Sequence, residues 1–313
     1  MDEKILDWLL EPDNPSVRYF TLRHLLDRPE NDPEVQAAHE AIMTSAQVKK
    51  ILSKQKAEGY WVKPDKGYSP KYQATSWQIL FLAEYGADGQ DERVRGGCEY
   101  FLSQSPSDMY GGFVHLIYCL NGNMLWALTA LGYGKDPRVA RALDWLTGMI
   151  VGDLPHIGSY SWPGFGCGAN HKLPCAWGAV KSLRALANLP EEMQTPKVKR
   201  ATEATAEFLF SRDPGKADYP YYERISGEWF KFGFPLSYTS DVLELSLALC
   251  EAGYGRDPRL KNALNLILNM RQANGRWLMK HSLNGKMWAD IEVKGEPSKW
   301  ITLRALRVLK AAG

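Results

Sequence analysis

The chain has 313 residues, 45% of them hydrophobic and 12% aromatic, with 11 Trp and 15 Tyr, enough apolar surface for one large closed core or two ordinary ones. Its 38 basic and 36 acidic residues leave a net charge of only +2, which excludes the concentrated basic face that nucleic acid or an anionic membrane would call for. No apolar run approaches the roughly 20 residues that cross a bilayer, the opening Met1-Asp-Glu-Lys-Ile-Leu-Asp-Trp lacks a signal-peptide pattern, and five irregularly spaced cysteines form no disulfide framework. A reduced, cytoplasmic setting is expected.

In chain order, Asp2–Leu10 reads as a short amphipathic helix stopped by Pro12. Asn14-Pro15 supplies an N-cap and first-turn proline for a helix over Ser16–Leu26, and Asp32-Pro33 does the same for Glu34–Ser45, continued by Ala46–Lys54. Tyr72–Tyr85 is a largely apolar helix ending at Gly86, as a left-handed C-cap requires. From here a unit repeats: apolar helix, short Gly/Asp/Pro turn, more polar helix, long Gly- and aromatic-rich loop. Leu131-Gly-Tyr-Gly-Lys-Asp-Pro-Arg-Val139 and Ala252-Gly-Tyr-Gly-Arg-Asp-Pro-Arg-Leu260 are near copies of one turn. The other apolar members are Leu120–Leu131, Cys175–Leu189, Tyr238–Ala252 and Lys299–Ala311. Their amphipathic partners are Asp91–Gln104, Pro137–Met149, Pro196–Arg212 and Pro258–Gln272, with Glu34–Gln55 before them.

No segment reads as a strand, so the fold class is all-α, built from helical hairpins. One helix of each pair is apolar nearly all round, which requires burial on every side. A double ring of five to six pairs with inner apolar and outer amphipathic helices meets that demand better than an open solenoid. The expectation is a single α/α-toroid domain over residues 1–313 with a central cavity. The last apolar helix lacks a partner after it and Asp2–Leu10 lacks one before it, so the chain ends are expected to pair.

Gln55-Lys-Ala-Glu-Gly-Tyr-Trp61 and Gln272-Ala-Asn-Gly-Arg-Trp277 resemble the Gln-x(3,4)-Gly-x-Trp repeat of squalene–hopene cyclases and protein prenyltransferase β subunits, with Gln104 and Gly111-Gly-Phe113 as a degenerate copy. Longer segments, among them Cys119–Leu128 and Pro297–Leu306, resemble short prokaryotic members of that superfamily. The resemblance implies an α/α toroid with an apolar cavity. It departs in two places. The cyclases' Asp-x-Asp-Asp acid motif is reduced to Tyr238-Thr-Ser-Asp241, and the prenyltransferases' Asp-x-Cys zinc motif has no counterpart.

Candidate chemistry gathers at the N-termini of the inner helices. Asp241, buried in an aromatic cavity, would be a proton donor or acceptor with a raised pKa; the plain alternative is a helix-capping acid. Cys167, His171 and Cys175 lie within nine residues of a Gly/Pro-rich loop, and Cys175 stands where loop becomes helix, a place that favours thiolate. With Asp241 they form the candidate catalytic set, serving proton transfer or covalent catalysis. Cys119, Cys167, His171 and Cys175 are the candidate zinc ligands, with buried thiols as the alternative. Trp77, Asn123, Tyr160, Trp162, Phe165, Tyr238 and Trp300 are expected around a hydrophobic small molecule, and Lys71 and Lys299 precede inner helices where a diphosphate could be held. The leading expectation is a terpene-cyclase-like enzyme acting on an isoprenoid-like substrate by acid/base isomerisation, hydration or cyclisation. Zinc-dependent prenyl transfer and a non-catalytic carrier are the rivals.

Overall fold

The computed structural model describes residues 2–65, 67–104, 113, 117–154, 161–222 and 226–313. Among these, helices α1 (Glu3–Leu9), α2 (Pro15–His24), α3 (Pro33–Ile42), α4 (Ala46–Leu52), α5 (Thr75–Tyr85), α6 (Glu92–Ser103), α7 (Tyr118–Leu128), α8 (Pro137–Val151), α9 (Ala176–Ala187), α10 (Pro196–Phe210), α11 (Val242–Leu249), α12 (Lys261–Asn269) and α13 (Lys299–Ala312) make an α/α toroid. Helices α5, α7, α9, α11 and α13 follow one another round the inner layer, and α6, α8, α10 and α12 pack outside them. Every residue of α5 is buried, as is every residue of α11, which is what an apolar helix in an inner layer requires.

The repeated turn has a shared physical logic. Gly132 and Gly253 take φ of 90° and 93°, a conformation that side chains resist. Asp136 and Asp257 then cap the next outer element through the N–H groups of Arg138 and Arg259. Each of these arginines also bonds its aspartate and reaches back to the preceding outer helix, Arg138 to Glu99 and Arg259 to Glu207.

The two Gln-Gly-Trp segments are equally alike. Trp61 and Trp277 are fully buried, donate their indole N–H to the Ile51 and Ile267 carbonyls at 2.9 and 2.7 Å, and donate their backbone N–H to the Thr75 and Thr302 hydroxyls at 3.1 Å. Each tryptophan thereby pins an outer helix end to an inner helix start.

The chain ends meet, as the unpaired terminal helices predict. Helix α1 packs on α13 and α2, Arg276 lies 3.9 Å over the Trp8 ring, and buried Lys299 pairs with Glu11 at 2.7 Å and with Asp13. Helix α2 packs against α13 and sets Phe20 beside Gly86 at the end of α5, closing the ring. Lys299 therefore ties the two ends together and does not face a diphosphate site.

One feature departs from the all-helical reading. Ser161–Trp162 (β1) and Gly166–Cys167 (β2) pair antiparallel, and Gly166 also pairs with Pro174. Among the described residues no helix is long and apolar enough to cross a membrane.

Candidate functional site

A buried charge in an apolar helix must find a partner or be lost to water. Four inner helices carry such charges. Glu84 stands in the apolar run of α5, Lys181 and Arg184 in α9, Glu244 in α11, and Arg304 in α13, all buried. They find one another across the centre of the ring. Arg184 grips Glu84 with two hydrogen bonds of 2.6 and 3.0 Å, and Arg304 adds a third at 2.8 Å. Lys181 donates to both oxygens of Glu244 at 2.7 and 2.6 Å. Arg307 and Asn188 hold Glu251, just past α11, at 2.7 and 2.8 Å.

Above this network the ring opens into a funnel of about 330 Å³ at the C-terminal ends of the inner helices. Arg184, Arg304 and Arg307 face Glu84, Glu244 and Glu251 on its wall, with His24 at one side. Aromatic faces complete it: Arg184 lies 3.5 Å over the Trp126 ring, and Trp300 forms part of the floor.

The protonation states follow from burial and neighbours. Burial alone would raise the Glu84 carboxyl, but Arg184 and Arg304 bring it down to about 2, so it stays ionised. Burial, reinforced by Arg307, Arg23 and Lys310, lowers His24 to about 3, leaving a neutral imidazole. Burial also lowers the Arg307 guanidinium, against the pull of Glu251. The funnel thus presents fixed cations and proton acceptors. Glu84 cannot donate a proton there.

Among the described residues, the centre of the ring's N-terminal side, where the sequence directs attention, is filled. The segment before α11 crosses it. Fully buried Phe234 stacks on Trp300 with ring centroids 3.7 Å apart, and the Ser237 carbonyl accepts from Asn123 Nδ2 at 2.9 Å. Asp241 is buried at the start of α11, and its two oxygens accept the backbone N–H groups of Glu244 and Gly233 at 2.8 and 3.0 Å. Burial pushes it up to about 7 against those bonds, yet it lines none of the described cavities. The expected mouth, aromatic and centred on Asp241, is replaced by a filled plug with Asp241 as a capping acid.

The other candidates scatter. Trp77 is buried, with its indole N–H on the Tyr68 carbonyl at 2.8 Å. Trp162 and Phe165 belong to the loop before α9, where Lys172 lies 5.0 Å over the Trp162 ring and Phe165 stacks on Phe208. Tyr238 has Lys71 over its ring at 4.8 Å and borders a separate cleft of about 390 Å³ lined by Lys231, Lys280, Lys286 and Lys294. Trp300 alone of these lines the funnel. Tyr160 lies outside the described residues.

The thiols divide the metal set. Cys167 and Cys175 act on one another, and Cys119 lies near enough to interact electrostatically with them. His171 is exposed, in a left-handed conformation, and stacks on Tyr222 with centroids 4.4 Å apart. The expected four-ligand zinc set is therefore not assembled, because the turn at His171–Lys172, where both residues have positive φ, directs the imidazole outward. Among the described residues no group of three or more His, Cys, Asp or Glu side chains is arranged to hold a metal.

Sequence reasoning missed the funnel because it followed helix N-termini. The signal was present: a lone Glu in Leu80-Phe-Leu-Ala-Glu-Tyr85 or in Val242-Leu-Glu-Leu-Ser246 cannot stand in an inner helix without a cation opposite.

No family model matches this chain, and no curated protein does. Solved structures do. A glycosyl hydrolase family 88 protein from Bacteroides vulgatus is similar with a TM-score of 0.57 and 13% identity, covering 99% of this chain and 98% of its own. A possible member of the GH105 family from Salmonella enterica gives 0.49 at 14% identity over 96% and 82%. A type II terpene cyclase from Scytonema, in complex with geranylgeranyl dihydroxybenzoate, gives 0.45 at 14% over 99% and 74%. At such identities the first likeness establishes the fold alone: the protein is an α/α toroid.

Proposed function

We propose that the protein is an α/α-toroid enzyme whose central funnel takes a small, negatively charged, polar molecule with a ring, an acidic saccharide being the best fit. The observation that carries this is the funnel wall, where Arg304 and Arg307 stand beside Trp126 and Trp300. Guanidinium groups bind carboxylates in a planar, bidentate manner, and aromatic faces take a sugar's apolar face. The Bacteroides neighbour's name, a glycosyl hydrolase, points in the same direction.

The chemistry that suits these groups is acid/base reaction next to a carboxylate, as in elimination, hydration or isomerisation. Arginines would stabilise the charge that develops on the substrate carboxylate. Glu251 is the candidate proton acceptor, held in place by Arg307 and Asn188.

A second reading keeps the isoprenoid-like substrate of a terpene-cyclase-like or prenyl-transferring enzyme, supported by the Phe20, Trp126 and Trp300 faces on the same wall. Isothermal titration of the purified chain with D-glucuronate and, separately, farnesyl diphosphate discriminates between them. The acidic-saccharide reading expects glucuronate to bind and Arg307→Met to weaken it at least tenfold. Binding of farnesyl diphosphate alone would replace it with the second.

A further inference from the structure

The loop that the sequence marks most strongly, residues 161–175, takes no part in the funnel, and its thiols have no role in the proposed reaction. Three of the five cysteines nevertheless meet there. The loop's backbone explains why. Gly166 faces Pro174 across an antiparallel bridge, with the Cys167 N–H on the Leu173 carbonyl at 3.2 Å and the Cys175 N–H on the Phe165 carbonyl at 2.8 Å. Cys167 and Cys175, both in extended conformation, each follow a bridging residue, so their side chains leave the ribbon on the same face. Cys167 and Cys175 are diagonal neighbours on that face, and each thiol acts on the other.

Cys175 and Cys119 also stand at helix starts. Cys175 is the residue before α9, and its sulfur faces the Gly178 N–H. Cys119 lies in the first turn of α7. The two helices pack at unusually short range, because a Cβ on Gly122 would come within 2.6 Å of the Lys181 backbone and one on Gly178 within 2.8 Å of Tyr118 Cβ. Two positive helix ends therefore converge on one sulfur cluster.

Within the cluster the thiols are unequal. The neighbouring Cys175 thiol, together with the backbone N–H groups of Ala169 and Asn170, holds Cys167 down at about 6. The same contact, with burial, pushes Cys175 up. Cys167 is the more exposed of the pair, and buried Cys119 is pushed up to about 12.

We propose that Cys167 and Cys175 form an oxidisable dithiol, with Cys167 the thiol that attacks hydroperoxides and Cys175 the one that closes a disulfide. The Cys167 thiolate attacks the terminal peroxide oxygen. The O–O bond breaks, the alkoxide leaves with a proton as alcohol, and Cys167 becomes a sulfenic acid. The Cys175 sulfur then attacks the Cys167 sulfur. The S–O bond breaks, and its hydroxide takes the Cys175 proton and departs as water, so two thiols and one peroxide give one disulfide, one alcohol and one water. Three glycines, Gly164, Gly166 and Gly168, let the loop adjust to disulfide geometry.

The test uses the full chain, reduced and freed of reductant, exposed to one to a few equivalents of hydrogen peroxide and read by intact and peptide mass spectrometry. The expected result is loss of two hydrogens per chain, mapped to a Cys167–Cys175 bridge and reversed by dithiothreitol. Cys167→Ser should abolish it, Cys175→Ser should leave a sulfenic acid on Cys167 trapped by dimedone, and Cys119→Ser should leave the bridge intact. Oxidation mapped to other cysteines, overoxidation of Cys167 without a bridge, or one tightly bound zinc per chain shielding all three thiols would each overturn the proposal. Should Cys175→Ser fail to fold, the wild-type map and Cys119→Ser still decide it.

Discussion

The two ends of the ring are built from the same helices and behave in opposite ways. At the N-terminal end, among the described residues, backbone and aromatic rings fill the centre and leave a cleft of about 390 Å³ beside Tyr238: Phe234 stacks on Trp300, Asn123 holds the Ser237 carbonyl, and Asp241 caps α11. At the C-terminal end the helices keep a cavity of about 330 Å³ and line it with paired charges. The difference teaches where this fold keeps its freedom. A carboxylate whose oxygens are both committed to backbone N–H groups serves the fold, whereas a rim of Arg307, Glu251 and His24 can be re-paired by an incoming ligand.

That contrast can be broken most sharply at Glu84. Glu84→Gln leaves Arg184 and Arg304 without their shared anion, and removing one partner of a buried pair costs about 3–5 kcal/mol. Scanning calorimetry should find a Tm lower by roughly 10 °C. A change of a degree or less would mean that the network is not a structural anchor.

The same residue gives the pH dependence. Its folded pKa of about 2 lies below the ordinary glutamate value of 4.5, so the stabilisation is complete above the unfolded pKa and lost as pH falls through the folded one. Urea unfolding should show stability dropping by roughly 3 kcal/mol between pH 5 and 2 from this group, with a shallower slope in Glu84→Gln. Equal slopes would assign the acid loss elsewhere.

Removal of residues 1–10 sharpens the account of closure. It deletes buried Ile5 and Leu9 and uncovers Gly275 and Arg276, and Tm should fall by several degrees. An unchanged Tm would show that the ring does not depend on α1.

The smallest effect is expected at Asp241. Asp241→Asn retains one acceptor for two N–H groups, a loss of about 1 kcal/mol as in capping substitutions, which removal of a buried carboxylate charge offsets near pH 7. Burial raises the Asp241 carboxyl to about 7, so its protonated form favours the fold and that contribution fades as pH rises from about 4 through 7. Urea unfolding of Asp241→Asn should accordingly lose that slope, while glucuronate affinity stays unchanged. A marked loss of affinity would restore Asp241 to the site.

The toroid was legible because it rests on periodicity. Apolar helices such as Thr75–Tyr85, near-copy turns at Gly132 and Gly253, and the paired Trp61 and Trp277 all repeat a local physical solution. The site was legible only in fragments. Cys167 and Cys175, near Pro174, announced themselves by type and spacing, and they lie close to each other and to Cys119. His171 left the group because the sign of φ at one loop residue decides its direction, and no spacing rule carries that. The funnel depends on which charges meet across the ring, Glu84 with Arg184 a hundred positions away, and such pairings appear only once the helices are placed.

The central claim is that the charged C-terminal funnel, and not the plugged N-terminal end, receives the ligand. The most direct measurement is a crystal structure of the full chain soaked in D-glucuronate. The account predicts its carboxylate against Arg304 or Arg307 with the sugar ring on Trp126 or Trp300. Glucuronate bound instead among Tyr238, Lys231 and Lys280, with the funnel empty, would contradict it.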